Sequence, residues 1–312
     1  MDSAALTTAQ ARSLADAPAH MLLTTFLGGR NPRTLAAYRK DLEAFASFTE
    51  LATTETAARL LLTKPLGEAN ALAMAWRASM VDCGLAAATI NRRLAALRSL
   101  VKLARTLGMV PWTLEVEGLE ACAYRDTRGP GTDGVRSMLV VMGARQDAKG
   151  KRDVAILRLL RDMALRRGEL VSLDLEHLDL VTSKLAVLGK GRTGRELLTI
   201  PRPTLEALRA WIEVRGTVPG PLFTNFDRAG KGSRLTGAGI HALVRACGEA
   251  AGLKVRPHGL RHAGITEALE RTNGNLRKVQ RFSRHRDMRT LEVYDDARRD
   301  MAGEVAELVA AA

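Results

Sequence analysis

Apolar residues recur every three to four positions along most of this chain, which is the spacing that buries one face of an α-helix. The clearest runs are 35–45, which follows the helix-starting pair Asn31-Pro32, and 89–107. No alternating strand pattern interrupts these runs before residue 118. The sequence therefore predicts that residues from about 21 to 118 are entirely helical.

One short stretch predicts β structure. Leu185–Leu188 and Glu196–Ile200 are apolar runs on either side of residues 189–195, three of which are glycine. A glycine-rich tip between two such runs is the signal of a β-hairpin. We therefore expect a mainly α protein with a small β-sheet. Further helices are predicted near 135–144, 152–164, 203–215, 236–251, 258–270 and 275–283.

The chain is predicted to form two domains, because 312 residues exceed the usual size of a domain with a single hydrophobic core. Gly108, Pro111 and the turn-rich, charged stretch 124–134 mark the break between them. We expect an N-terminal extension at 1–20, a helical domain at 21–118, a linker at 119–134 and a mixed α/β domain with a C-terminal tail helix at 135–312.

The charge of the chain indicates a polyanionic partner. The 47 Lys and Arg residues exceed the 34 Asp and Glu residues, which leaves a net charge of +13. Residues 252–290 hold ten Lys or Arg and three Asp or Glu. In the helix at 89–107, Arg98, Lys102 and Arg105 recur at helical spacing and could follow phosphates, although such a stripe is also typical of a plain solvated face. Nucleic acid is the first candidate, and a basic enzyme with incidental charge remains the alternative.

The sequence predicts neither a membrane span nor a metal site. No run of 18 apolar residues appears, and the first 20 residues lack a basic segment and an apolar stretch of the kind that a secretion signal needs. Cys83, Cys122 and Cys247 stand singly, without zinc-binding spacing. We expect a cytoplasmic, nucleoid-associated protein with reduced cysteines, no metal and no membrane partner.

Three separated clusters carry residue types suited to phosphate chemistry. They are Ala-Leu-Arg-Arg-Gly-Glu-Leu at 164–170, Pro-His-Gly-Leu-Arg-His at 257–262, and His285 with Tyr294 nine residues later. Each cluster alone is weak evidence for a functional site. An arginine beside a glutamate usually forms a surface salt bridge, and a lone tyrosine usually packs against other side chains. With Lys190 in Gly-Lys-Gly at the hairpin tip, the ordered set resembles the phage integrase, or tyrosine recombinase, family of the Xer type over about 135–300.

The resemblance implies a role for each matched residue. Tyr294 would be the nucleophile and form a 3′-phosphotyrosyl bond, which stores the energy of the broken linkage, so that resealing needs no ATP. No metal would be needed either, because arginines would replace it. Arg166 and Arg261 would donate to the non-bridging phosphate oxygens, because the planar guanidinium fork suits phosphate. Lys190 would protonate the departing 5′ oxygen.

The remaining matched residues have assisting roles by the same resemblance. His258 would assist phosphate binding and proton movement, and His285 would hydrogen-bond the phosphate or the phenol. Glu169 would brace the arginines, and His262 is expected to be structural. The residues expected to contact DNA outside the active site are Arg98, Lys102, Arg105 and Arg192.

The chain departs from the common family pattern at two places. Many relatives have Leu-Gly before the second histidine, whereas this chain has Phe282-Ser283-Arg284. The glycine that eases close approach to phosphate is therefore missing, and Arg284 adds charge. Asp295 and Asp296 directly follow Tyr294, where negative charge is unfavourable beside a phosphate.

The resemblance also implies partners. Double-stranded DNA would be the substrate, bound in part by the helical domain, which corresponds in size and place to the family's core-binding (SAM-like) domain. Strand exchange between two duplexes needs four cuts, and one chain supplies one nucleophile, so we expect a homotetramer on DNA. Accessory DNA-binding or directionality proteins are left open. The tail 301–312, with Val305, Leu308 and Val309 at helical spacing, could dock on a neighbouring subunit or on its own domain.

Two other classes of protein compete with this interpretation. A type IB topoisomerase has similar chemistry but relaxes supercoils with one active subunit. A non-catalytic DNA-binding protein could share the fold. The sequence reveals neither the target site nor the choice between integration, excision, resolution and transposition.

Overall fold

A computed structural model describes the chain at 22–23, 25–26, 32–120, 129–189, 192–227, 230–296 and 301–311. The chain divides into two compact units, Met1–Ala123 and Tyr124–Ala312. The boundaries predicted at residues 118 and 135 stay predictions. No helix in this described part of the chain combines the length and hydropathy that a bilayer span requires.

Helices build the described part of the first unit. Those from residue 32 onwards are α1 (Pro32–Phe48), α2 (Thr54–Thr63), α3 (Leu66–Asp82) and α4 (Ala87–Thr106). Their shared core includes Phe45 on α1, Trp76 on α3 and Leu97 on α4, and the Phe45 and Trp76 rings meet edge to face at 5.0 Å. The helices predicted at 31–45 and 89–107 are present, and the described residues between 32 and 118 contain no strand.

The second unit contains most of the chemistry-bearing residues. Its helices are α5 (Gly131–Gly143), α6 (Ala148–Asp162), α7 (Arg167–Val171), α8 (Arg202–Arg215), α9 (Gly237–Ala250), α10 (Pro257–Arg271), α11 (Leu276–Ser283), α12 (Arg289–Asp296) and α13 (Met301–Ala310). Helix α6 is central, with Ile156, Leu157 and Leu160 fully buried. Helices α5, α8 and α10 pack around it.

A small antiparallel sheet lies in the same unit. Its strands, in spatial order, are β1 (Leu178–Asp179), β2 (Lys184–Leu188) and β3 (Arg195–Thr199). In the β2–β3 hairpin Lys184 pairs with Thr199 and Leu188 with Arg195, which leaves 189–194 as the connecting loop. The prediction of a mainly α protein with a small β-sheet is confirmed.

A close approach between α6 and α10 positions the second cluster of motif residues. A β-carbon placed on Gly264 of α10 would collide with the carbonyl oxygen of Arg161 and lie 3.1 Å from its carbonyl carbon. Only a residue without a side chain permits this spacing. Because Arg261 lies one turn before Gly264, the contact holds Arg261 against the end of α6.

We expect the substitution Gly264→Ala to destabilise the second unit by about 1–3 kcal/mol, since the added methyl group meets backbone atoms that have no rotamer freedom. Chemical denaturation of the full chain measures the loss. Gly143→Ala is the matched control, because a β-carbon at that position would meet no atom within 4 Å beyond the chain neighbours and local backbone of its own helix. Equal stability of the two variants would contradict the close packing.

Candidate active site

Three chain segments converge at one end of α6. They are the turn at 163–166, helix α10, and the stretch from α11 to α12. A small apolar cluster packs them together, and its buried members are Ala164, Ile265, Leu269, Val279, Leu291 and Tyr294. The first, second and third motif clusters of the sequence are therefore neighbours in space.

Arg166 lies directly before α7 and is hydrogen-bonded to Glu169 in the first turn of that helix. The Glu169 carboxylate accepts the backbone N–H of Arg166 at 2.9 Å and its Nη1 at 2.7 Å. The second terminal nitrogen of Arg166, Nη2, donates to the carbonyl oxygen of Arg284 at 3.2 Å. Burial alone would raise the pKa of Glu169, but the Arg166 backbone N–H and the guanidinium groups of Arg284 and Arg166 lower that pKa below its ordinary value. Glu169 is therefore ionised at neutral pH.

Arg261 is the most deeply buried charge of the cluster. Its Nη1 donates to the carbonyl oxygen of Ala164, and its Nη2 donates to that of Ser283 at 2.5 Å. Burial, followed by the neighbouring charges of Arg166 and Arg284, lowers the pKa of Arg261 to about 10, so the group stays charged at neutral pH. Because its exposed fraction is 1%, a phosphate can reach it only after the surrounding chain moves.

The hydrogen bonds of His285 assign its tautomer. Arg261 can only donate, so the contact of 3.3 Å between Arg261 Nη2 and His285 Nε2 makes Nε2 the acceptor. The ring proton then lies on Nδ1, which donates to Ser283 Oγ at 3.0 Å. Burial lowers the pKa of His285 to about 4, with further lowering from Arg261, Arg166, His258 and Arg284. His285 is therefore neutral near pH 7.

Tyr294 on α12 lies against two histidines. Its ring stacks on His262 at 4.1 Å between centroids and is 6.0 Å from the ring of His285. Its exposed fraction is 7%. Burial raises the pKa of Tyr294, and the charges of Arg261 and Arg166 act in the opposite direction. The stacking gives His262, which the sequence marks only as structural, direct contact with the ring of Tyr294.

His258 occupies the open side of this group. The residue is exposed, and its ring meets that of His262 at 6.5 Å. The surrounding protein removes part of the ring from water, and this desolvation, followed by the charges of Arg261 and Arg166, lowers the pKa of His258. The structure thus brings together Arg166, Glu169, His258, Arg261, His262, His285 and Tyr294.

Other residues singled out from the sequence belong to the hairpin or to the first unit, or fall outside the described residues. Lys190 is outside them, as are the side chains of Asp295 and Asp296, those of Val305 and Leu308 in the tail, and the extension 1–20. Arg192, 60% exposed, forms an ion pair of 3.1 Å with Glu196 on the hairpin. In the other unit, Arg98 is half-buried on α4, whereas Lys102 and Arg105 are exposed. Among the described residues no group of three or more His, Cys, Asp or Glu could hold a metal ion.

Comparison with known proteins shows the family of the chain. The profile of the phage integrase family matches residues 133–300, more than half of the chain. A tyrosine recombinase of Synechococcus elongatus is 43% identical over 289 residues, which cover 90% of each chain. The chain belongs to the phage integrase family. It is a Xer-like tyrosine recombinase, an enzyme of site-specific DNA recombination.

Two further similarities come from more distant proteins. The tyrosine recombinase XerC of Pseudomonas putida is 31% identical over 267 residues, 84% of each chain. A crystal structure of the XerH site-specific recombinase, bound to a palindromic difH substrate after cleavage, matches with a TM-score of 0.66 at 17% identity. That match covers 97% of this recombinase and 84% of the XerH chain, and it shows a common fold.

The sequence alone did not identify Arg284 as part of the site. In the sequence it appears only as a departure from the Leu-Gly pattern that adds charge. In the structure its guanidinium binds Glu169 and three backbone carbonyl groups. One feature of the sequence could have indicated these contacts. Arg284 stands at the end of α11, where the family's glycine implies a left-handed backbone. That backbone holds the side chain near the site.

The lowered pKa of His285 predicts a pH dependence of stability. The unfolded chain takes up this proton near pH 6.5, whereas the folded protein takes it up near pH 4. Unfolding therefore binds a proton between these values. The stability contributed by the neutral ring is fully present above pH 6.5 and is lost as the pH falls towards 4. We expect the urea midpoint to fall more between pH 7 and pH 5 in the parent than in His285→Asn. Parallel decreases would show that His285 does not titrate in this way.

Proposed function

We propose that this recombinase cleaves one strand of double-stranded DNA by attack of Tyr294 on a phosphodiester. The new bond joins the phenolic oxygen to phosphorus, and the bond between phosphorus and the 5′ oxygen breaks. A 3′-phosphotyrosyl linkage and a free 5′-hydroxyl result. The observation that carries the proposal is the convergence of Tyr294, Arg261 and Arg166, from three separate segments, around one group of histidines.

The surrounding charges suit the transition state. A pentacoordinate phosphorus carries extra negative charge on its non-bridging oxygens, and the guanidinium groups of Arg166 and Arg261 supply fixed positive charge there. Arg166 is partly exposed and can meet DNA directly. Arg261 requires a local movement of the chain around Ser283 and His285, which together occupy its Nη2.

Strand cleavage also requires two proton transfers. The phenol proton passes to a neutral imidazole, for which His258 and His285 are the two candidates, since the pKa of each lies below its ordinary value. The departing 5′ oxygen takes a proton from Lys190 at the hairpin tip. Resealing is the reverse reaction, in which a 5′-hydroxyl attacks the phosphotyrosyl bond. The bond energy is retained in that linkage, so ATP is not required. The guanidinium groups of Arg166 and Arg261 would neutralise the phosphate in place of a metal ion.

The proposal extends to binding and assembly. The basic face of α4, formed by Arg98, Lys102 and Arg105, would contact DNA phosphates, as would Arg192 on the hairpin. The net charge of +13 favours such a partner. Four nucleophiles are needed to exchange the strands of two duplexes, so the active assembly would be a homotetramer on DNA. The enzyme would act where the nucleoid lies.

A covalent adduct tests the nucleophile. Nuclease protection first identifies the bound DNA site, and a nicked version of that site then traps the intermediate. We expect a denaturant-resistant adduct with the parent in the presence of EDTA, because no metal takes part. Tyr294→Phe should form none, although the phenyl ring can keep the stacking on His262.

Tyr38→Phe is the matched control, since Tyr38 stacks on Phe26 in the other unit. It should form the adduct as the parent does. An adduct that persists in Tyr294→Phe, or one that EDTA abolishes, would contradict the proposed mechanism. Recombined products from paired sites would distinguish strand exchange from simple relaxation of supercoils.

Binding and cleavage should separate when Arg166 is replaced. We expect Arg166→Ala to slow adduct formation by about 100-fold or more while DNA affinity changes by less than about 10-fold, because the lost charge acts mainly on the transition state. Single-turnover cleavage and gel-shift titration measure the two quantities. Arg245→Ala on α9, an exposed arginine paired with Glu249, is the control. Equal cleavage by Arg166→Ala and the parent would remove Arg166 from the mechanism.

A further inference from the structure

Arg284 occupies a backbone conformation that favours glycine. It ends α11 with φ 57° and ψ 36°, in the left-handed region that residues with a β-carbon rarely adopt. The backbone N–H of Arg284 donates to the carbonyl oxygen of Gln280 at 2.8 Å and closes the helix. A β-carbon at such a position is unfavourable relative to glycine, and contacts of the side chain can offset that cost.

Those contacts form a buried network. The guanidinium Nη1 donates to the carbonyl oxygens of Met163 at 3.1 Å and Phe282 at 3.2 Å. Its Nη2 donates to the carbonyl oxygen of Ala164 at 3.1 Å and to Glu169 Oε2 at 3.0 Å. The side chain is only 6% exposed. Arg284 therefore connects the turn after α6, the end of α11 and the carboxylate that fastens Arg166.

The carboxylate of Glu169 is shared between two guanidinium groups. Its Oε1 accepts from Arg166 and its Oε2 accepts from Arg284. With Arg261, three guanidinium groups and one carboxylate leave two positive charges among these buried and half-buried groups. Without Arg284, the charge of Glu169 would be balanced by Arg166 alone, and only one net positive charge would remain.

We propose that Arg284 is a positioning residue that neutralises Glu169, so that the charges of Arg166 and Arg261 both remain available to the phosphate in the transition state. This inference rests on the proposed function of Tyr294 and Arg166. Glu169 can then fix the geometry of Arg166 without cancelling its charge. The guanidinium of Arg284 binds the Glu169 carboxylate and acts through it.

The proposal differs from a purely structural role for the same side chain. If Arg284 only anchored the end of α11, removing its partner Glu169 as well would add a second defect. If it balances charge, removing both groups together restores two net positive charges. A pair of charge-deleting substitutions therefore separates the two roles.

The experiment compares Arg284→Gln, Glu169→Gln and the double variant by the rate of adduct formation on the nicked target site. We expect Arg284→Gln to slow the step by about 10-fold or more, because one net charge is lost from a partly desolvated site. The double variant should be faster than Arg284→Gln alone by about 5-fold or more. The exposed pair Arg245 and Glu249, 3.2 Å apart on α9, provides the control cycle with no change in rate.

Two further variants keep the test decisive if the double variant folds poorly. Arg284→Lys retains the charge and should cleave at least about 5-fold faster than Arg284→Gln. Arg284→Gly relieves the left-handed backbone, so it should remain folded and yet be slow. Equal rates for the Lys and Gln variants, or a double variant no faster than Arg284→Gln, would overturn the proposal. Absence of any adduct with the parent would instead overturn the proposed function of Tyr294.

Discussion

The site depends on arginine side chains that bind the backbone of two distant turns. Arg261 donates to the carbonyl groups of Ala164 and Ser283, and Arg284 donates to those of Ala164 and Phe282. Ala164 adopts a left-handed conformation with φ 45°, and its carbonyl oxygen serves both guanidinium groups. Each buried charge thus has several partners, which offsets the cost of removing it from water. The same bonds hold His285 beside the segment that carries Arg166.

Much of this architecture could be predicted from periodicity and spacing. The helical repeats of 35–45 and 89–107 and the glycine-rich tip at 189–195 correspond to α1, α4 and the β2–β3 loop. Helices α2 and α3 lie in the region that the sequence predicts to be helical, but their bounds could not be assigned from it. For α3 the reason is that alanine fills buried positions such as Ala69 and Ala73 and so gives little contrast with the exposed face. Their apolar pattern becomes visible only when packing partners are known.

The arrangement of the candidate site was predictable in part. Motif order indicated that Arg166, Arg261, His285 and Tyr294 belong together, and the structure brings them together. The burial of Arg261, the tautomer of His285 and the stacking of His262 on Tyr294 depend on contacts between segments more than 20 residues apart. Linear spacing carries no information about such contacts. Catalytic roles for these residues remain predictions.

Arg261 and Arg284 donate hydrogen bonds to main-chain carbonyl oxygens. Many of their contacts therefore depend on the backbone conformation of the bonded segments. The side chains of Met163, Ala164 and Phe282 take no part in those bonds. Evolution can therefore exchange these residues for others of similar volume while the two turns keep their shape. A recombinase can diverge widely around its arginines and still present them in one arrangement, provided that each replacement tolerates the same local bend of the main chain.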